Sequence, residues 1–221
     1  WSAQTLYLSS LVRSTVDIQS TVVNAFGAAA SEVLKFESAG STVVLRDMDV
    51  TAAADADESR VRVLLMRQFV DSSLLIDASR FMIEAQPSKE ASFLTTVVAL
   101  QSSNLTLVDS DVDLRCSGTA GLVMDFVGSA QGTHEVAIAV TRTRLFVLAH
   151  PAEEHRAVVI SVANYQRVSV VVDGASVLKV RGSVESANVL VATLPVGAQA
   201  ELDVDATGFT LHLSGYPTLR G

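Results

Sequence analysis

The residue types with most capacity for chemistry in this 221-residue chain are acids in close spacing. Asp109, Asp111 and Asp113 alternate along the chain, as at the start of a calcium loop, where carboxylates at alternate positions surround the ion. Such a loop turns on glycine at its sixth position and closes with glutamate at its twelfth; here these are Leu114 and Ala120. Val112 and Leu114 alternate as core residues, so the aspartates read as the outer positions of a strand. Asp55-Ala56-Asp57-Glu58 is a short acidic turn that also lacks the glycine. His150 to His155 is the densest set of zinc-ligand types, without the spacing that puts two imidazoles on one helical face. Pro151 followed by Glu153 and Glu154 reads instead as a capped surface turn. His134 and His212 read as outward strand residues. Cys116 is the single cysteine, which excludes an internal disulfide and a cysteine zinc site; two residues past Leu114, it reads as a buried, inert thiol.

Catalysis by clustered carboxylates would need several of them, with or without an arginine or lysine base, on one outer face. Asp47/Asp49, Asp111/Asp113 and Asp203/Asp205 are the candidate pairs, but Arg80, Met82, Arg144 and Phe146 intervene between them in the repeat described below. The chain carries no G-x-S-x-G, phosphate loop or dinucleotide fingerprint. No catalytic, cofactor-binding or metal-binding residue is therefore assigned. Asn104-Leu105-Thr106 is an N-glycosylation sequon, and alternation around Leu105 turns Asn104 outward as the acceptor.

The composition limits the partners. The net charge is −8 and the lysines are Lys35, Lys89 and Lys179 alone, so a nucleic-acid partner, which needs clustered cations, is not expected. No apolar run approaches the roughly 20 residues of a membrane span. At 49% hydrophobic and 18% charged the chain is expected to form one domain over residues 1–221 rather than a disordered segment. It opens on Trp1 with apolar and polar residues already alternating, and reads as a piece of a longer chain.

Valine, serine, threonine and alanine dominate the elements that must position these residues, a texture suited to strands. Helical patterns are confined to Ala28 to Phe36, about two turns, and Pro151 to Ala157, about one. A template recurs: apolar-x-apolar, a polar corner, apolar-x-apolar. Its first anchors are Val16, Val43, Leu74, Leu105, Ile138, Val170 and Leu202, a nearly constant advance after the first, shorter step. The second halves of the last two units are Leu178/Val180 and Phe209/Leu211, and a third apolar run separates successive templates. Corners often carry aspartate, as at Asp47, Asp77, Asp109, Asp173 and Asp205, which tolerates a left-handed backbone. An antiparallel sandwich gives no reason for a constant period, and a propeller blade needs about 40 residues. The expected fold is all-β, a right-handed parallel β-helix of about seven coils of roughly 31 residues with three short strands each. Stacking Phe81, Val112 and Leu145 then brings Arg80, Asp111 and Arg144 side by side, and Glu84 beside Arg115, an alternation of charge that supports the register.

The Ser/Val/Ala-rich stretches Ser41 to Val50 and Gln166 to Val180 resemble the dispersed gene family surface proteins of trypanosomatids, and similar secreted β-solenoid adhesins. The resemblance implies a glycosylated, extracellular or cell-surface protein engaged in adhesion, and carries over no catalytic residue. The expected function is thus a non-enzymatic structural or adhesive module of a larger surface protein. Its partners would be adjacent domains or coils, other surface proteins or glycans. The alternative is a carbohydrate-active β-helix enzyme, a polysaccharide lyase or glycoside hydrolase.

Overall fold

The computed structural model describes residues 2–27, 30–54, 60–85, 90–117, 120–126, 133–149, 156–163, 165–173, 175–181, 187–193, 202–205 and 210–214. They form strands and corners, with no helix among them. In chain order the strands begin β1 (Ser2–Val12), β2 (Thr15–Gln19), β3 (Val22–Gly27), β4 (Ala30–Ala39), β5 (Thr42–Arg46) and β6 (Asp49–Ala54). There follow β7 (Arg60–Val70), β8 (Ser73–Asp77), β9 (Arg80–Ala85), the long β10 (Glu90–Val108), β11 (Asp111–Cys116), β12 (Ala120–Phe126) and β13 (Thr133–Thr141). The remainder are β14 (Arg144–Ala149), β15 (Arg156–Ala163), β16 (Tyr165–Val172), β17 (Val177–Arg181), β18 (Ala187–Thr193), β19 (Leu202–Asp205) and β20 (Thr210–Ser214).

All pairing is parallel, and partners lie about one sequence period apart. A 7-stranded sheet runs β3-β6-β9-β11-β14-β17-β20, and a 13-stranded sheet contains the rest, β10 serving both of its rows. Strands succeed one another around a common core and stack on their counterparts, which makes the chain a β-solenoid; one such circuit is called a rung below. The sandwich alternative is excluded, because its hairpins would pair neighbouring strands antiparallel.

Inward residues stack as aliphatic rows. Val16, Val43, Leu74, Leu105, Ile138 and Val170 are consecutive register partners. From Val43 onward they are buried to 2% exposure or less. The last anchor is corrected: Val204, not Leu202, lies opposite Val170, and Leu202 opposes Val168. The same two-residue shift appears in the next row, where Val23, Val50, Phe81, Val112, Leu145, Leu178 and Leu211 are partners. Leu211 thus matches Leu178 rather than Val180, and Phe209 lies outside the described residues. Both the alternation Leu202/Val204 and the chosen period fit two registers equally, since a two-residue slip keeps every side chain on its face.

The helical expectation for Ala28 to Phe36 fails. Ala30–Ala39 is a strand, because Val33, Leu34 and Phe36 sink into the core beside β7, and burial overrides local preference. Of the second such segment, 151–155 lie outside the described residues and Arg156 opens strand β15. In this row of strands the pairing passes over one residue at the same place each time: Val33, Val63, Phe93, Val123 and Val159. There the strand bends. Phe93 faces the core against Phe81, ring centroids 4.7 Å apart, while Ser92 and Thr95 on the other side share a 2.6 Å hydrogen bond. Side chains three apart cannot meet across a straight strand, so the outer surface is creased at this row.

Two corners recur from rung to rung among the described residues, most of them marked by a residue with positive φ that is seldom glycine. One stack is Arg13, Gly40, Asp71, Ser102, Glu135 and Arg167; the other is Ser20, Asp47, Ala78, Asp109 and Arg142. Asp47 and Asp109 occupy the left-handed position as their type suggests, whereas Asp77 precedes Ala78, which takes it. Asp205 ends β19. After most corners comes an inward hydroxyl; buried Met48, Val136 and Val168 hold that place after Asp47, Glu135 and Arg167. Ser72 and Ser103 follow the first corner; Ser79, Ser110 and Thr143 follow the second, all 4% exposed or less. Each hydroxyl donates to the carbonyl two residues before it and accepts an amide from the preceding rung. Ser110 Oγ, for instance, lies 2.7 Å from Val108 O and 3.2 Å from Ser79 N. Two hydroxyl ladders therefore satisfy the buried amides that the sharp corners take out of the sheet.

Candidate functional site

The outer faces of β9, β11 and β14 carry the charges that the register brings together. Arg80, Asp111 and Arg144 are successive partners, as are Glu84 and Arg115. Arg144 clasps Asp111 through two 2.8 Å hydrogen bonds and reaches Asp113 at 3.8 Å. Arg115 holds Asp113 along its own strand at 3.0 and 3.1 Å. At the second corner Arg142 holds Asp109 through two 2.7 Å bonds, while the Arg142 amide donates to Asp173 at 2.9 Å. Asp109, Asp111 and Asp113 are thus each engaged by arginine. Among the described residues no group of three or more His, Cys, Asp and Glu could hold a metal ion.

Protonation follows these bonds. The hydrogen bond from Arg142 holds the Asp109 carboxyl below the usual carboxylate range. Asp173 is also lowered, first by the backbone amide of Arg142 and then by the Ser176 hydroxyl. Hydrogen bonds to Asp109, Asp111 and Asp113 likewise hold Arg142, Arg144 and Arg115 above the ordinary guanidinium range. A general acid needs a carboxyl shifted the other way, toward neutrality. The two clearly shifted carboxyls here stay ionised and have no proton to give at neutral pH.

The other candidates disperse. Asp47 forms a corner and Asp49 begins β6. Asp203 and Asp205 lie on β19, in the other sheet from Asp111 on β11. Cys116 is buried, and its thiol donates to the Ala120 carbonyl at 3.3 Å, in keeping with an inert role. His134 lies on β13, half-buried, and His212 on β20. Asp55 to Glu58 and His150 to His155 lie outside the described residues. Asn104 is exposed on β10 beside the fully buried Leu105.

Three features are not evident from the sequence. One is the hydroxyl ladder, whose signal is the equal spacing of Ser41, Ser72 and Ser103. Another is the outer crease. Its edges are Glu32 and Lys35, 3.7 Å apart, then Arg62 and Leu65, Ser92 and Thr95, Leu122 and Asp125. Its two carboxylates, Glu32 and Asp125, stand three strands apart, about 14 Å, beyond the roughly 5–9.5 Å separations at which glycosidase carboxylates cooperate. The third is the first rung, where Val16, Ile18 and Val23 are only half-buried although their partners Val43, Leu45 and Val50 are fully so. No helix among the described residues is long and apolar enough to cross a membrane. Comparison with known proteins finds no matching family model, no matching curated protein and no matching solved structure.

Proposed function

We propose that the chain is a non-enzymatic structural or adhesive module of a larger extracellular surface protein. It is read as a right-handed parallel β-helix of about seven coils, one sequence period and three short strands to each. The observation that carries the reading is the engagement of the outer acids. Asp111 by Arg144, Asp109 by Arg142, Glu135 by Arg167 and Glu37 by Arg67 are held across neighbouring rungs. Such pairs favour a regular stack and occupy those carboxylates with guanidinium groups. The exposed Asn104 is a fitting N-glycan acceptor, and the resemblance to trypanosomatid surface proteins points to the same setting. Partners are adjacent coils or domains, other surface proteins, or glycans.

Beads coated with the full chain should bind cells or immobilised surface glycans above an albumin control. Passage through a eukaryotic secretory pathway should add a glycan that Asn104→Gln removes. Release of unsaturated or reducing sugar ends from a polysaccharide, abolished by Asp111→Ala, would replace this reading with the enzymatic one.

A further inference from the structure

The solenoid carries outward charge on two of its faces and little on the third. Arg80, Asp111 and Arg144 succeed one another on the 7-stranded sheet, and Lys35, Arg62 and Asp125 edge the crease. Between the two corner stacks, β5, β8, the last part of β10, β13 and β16 present two adjacent outward columns without charge. One column is Thr42, Ser73, Asn104, Ala137 and Ser169, successive register partners. The other is Val44, Leu75, Thr106, Ala139 and Val171, bounded by Asp17 before it and Asp205 after it. Leu105 and Leu107 fill the core, so Asn104 and Thr106 between and beside them turn outward. The second column is mostly apolar yet reaches solvent: Leu75, Thr106 and Ala139 are half-buried and Val171 is 43% exposed. The first borders it with hydroxyls, of which Ser73 donates to Thr42 at 3.1 Å.

Asn104 opens the sequon and stands inside this face, exposed. On its corner side lie charges, the Glu135–Arg167 pair 3.2 Å apart. On the other side Thr106 follows about 7 Å along the strand, and the neighbouring rungs lie about 4.8 Å to either side. A sugar ring carries C–H groups on its faces and hydroxyls at its rim, and the first sugars of an N-glycan are uncharged. They match methyl groups bordered by hydroxyls, and cover them without stripping water from an ionic group. Attachment at Asn104 makes the contact intramolecular, so weak contacts suffice. The neutral face extends only about 19 Å across the strands and about 7 Å along them. That is several times smaller than the roughly 800 Å² each partner gives to a stable protein interface, so a separate protein or a second copy fits it less well.

We infer that this face seats the N-glycan of Asn104: its first sugars lie over Leu75, Thr106 and Ala139 and close the face to protein partners. The inference rests on the reading of Asn104 as a glycan acceptor in a secreted chain. The full chain secreted from eukaryotic cells should show nuclear Overhauser contacts between the first sugars on Asn104 and the methyl groups of Leu75 and Ala139. In Leu75→Asp the contact with Ala139 should be lost, and an amidase that removes N-glycans should act on the folded chain several-fold faster. Met82→Asp, outward on the other sheet, should leave both readouts unchanged. A parent chain that carries the sugar without these contacts, or equal cleavage of parent and Leu75→Asp, would overturn the seat and leave the acceptor standing. Equal acceleration by Met82→Asp would show a general loosening and overturn the seat as well. A chain secreted without sugar on Asn104 would overturn the acceptor and the seat together.

Discussion

Thr143→Val isolates the contribution of one hydroxyl in a buried ladder. Thr143 is 1% exposed, so the change occurs out of reach of water. Its Oγ1 donates to Thr141 O at 2.8 Å and accepts the Ser110 amide at 3.3 Å. Valine has nearly the same shape, so no cavity opens and the loss is polar. Thr141 O keeps the Asp109 amide at 3.1 Å and is not orphaned. The Ser110 amide is left without an acceptor in a residue only 4% exposed. A buried donor without a partner costs about 1–3 kcal/mol, and the long 3.3 Å bond places this one toward the lower end. Thr143→Ser keeps the oxygen and removes a methyl group, which costs about 1 kcal/mol by lost burial. Urea unfolding gives both losses, and amide exchange separates their causes: Ser110 should exchange faster in the valine variant and unchanged in the serine variant. A valine variant as stable as the parent, with the Ser110 amide still protected, would refute the view that these hydroxyls hold the corners.

Leu107 is fully buried between Ile76 and Val140, so Leu107→Ala should cost about 2–5 kcal/mol in urea unfolding, while Thr106→Asp next to it, turned outward, should cost about 0.5 kcal/mol or less. Gly121→Ala would set a Cβ 3.0 Å from Leu114 Cδ2 and 3.2 Å from Val147 Cγ2, and should destabilise by about 1–3 kcal/mol, partly recovered by Leu114→Val. The lowered carboxyls of Asp109 and Asp173 add stability that is present above the ordinary carboxylate range and lost as the pH falls through their folded values. The urea midpoint should therefore drop below about pH 4, and less steeply in Arg142→Gln.

The solenoid was readable because its inward residues alternate at a near-constant period, so that Val43, Leu74 and Leu105 announce one another at equal steps. Charge then supported the register, as the Asp111–Arg144 pair shows. Alternation says nothing about slips of two residues, which is why Leu202 passes for the partner of Val170 in place of Val204. It also breaks at the bend, where Val63 and Leu64 are both buried, so these strands appear in the sequence only as apolar runs and one of them as a short helix. The hydroxyl ladders were hidden by chemistry: serine beside aspartate reads as a solvated corner, although here the serine is the buried member. The acidic pairs of the candidate site were legible as outer strand positions; the arginine that holds Asp111 lies a full period away, whereas Arg115 holds Asp113 from two residues along the same strand.

The long sequence offset between partners has a consequence for how the chain folds. β5 finds β8, and β11 finds β14, a full period further along the chain, so no sheet contact forms between sequence neighbours. Closing the first such loop costs about 3 kcal/mol of chain entropy beyond a length-independent constant. Until two rungs are closed on each other, almost no apolar surface is covered in return. Folding should then be slow to start, on the millisecond-to-second scale of chains dominated by distant pairings, and quick to extend once a pair exists. The natural starting pair is the rung of β8 and β9 with that of β10 and β11, where the Phe81–Phe93 contact and both hydroxyl ladders coincide. From there the chain can wind outward toward both ends, each new circuit laid on a finished one.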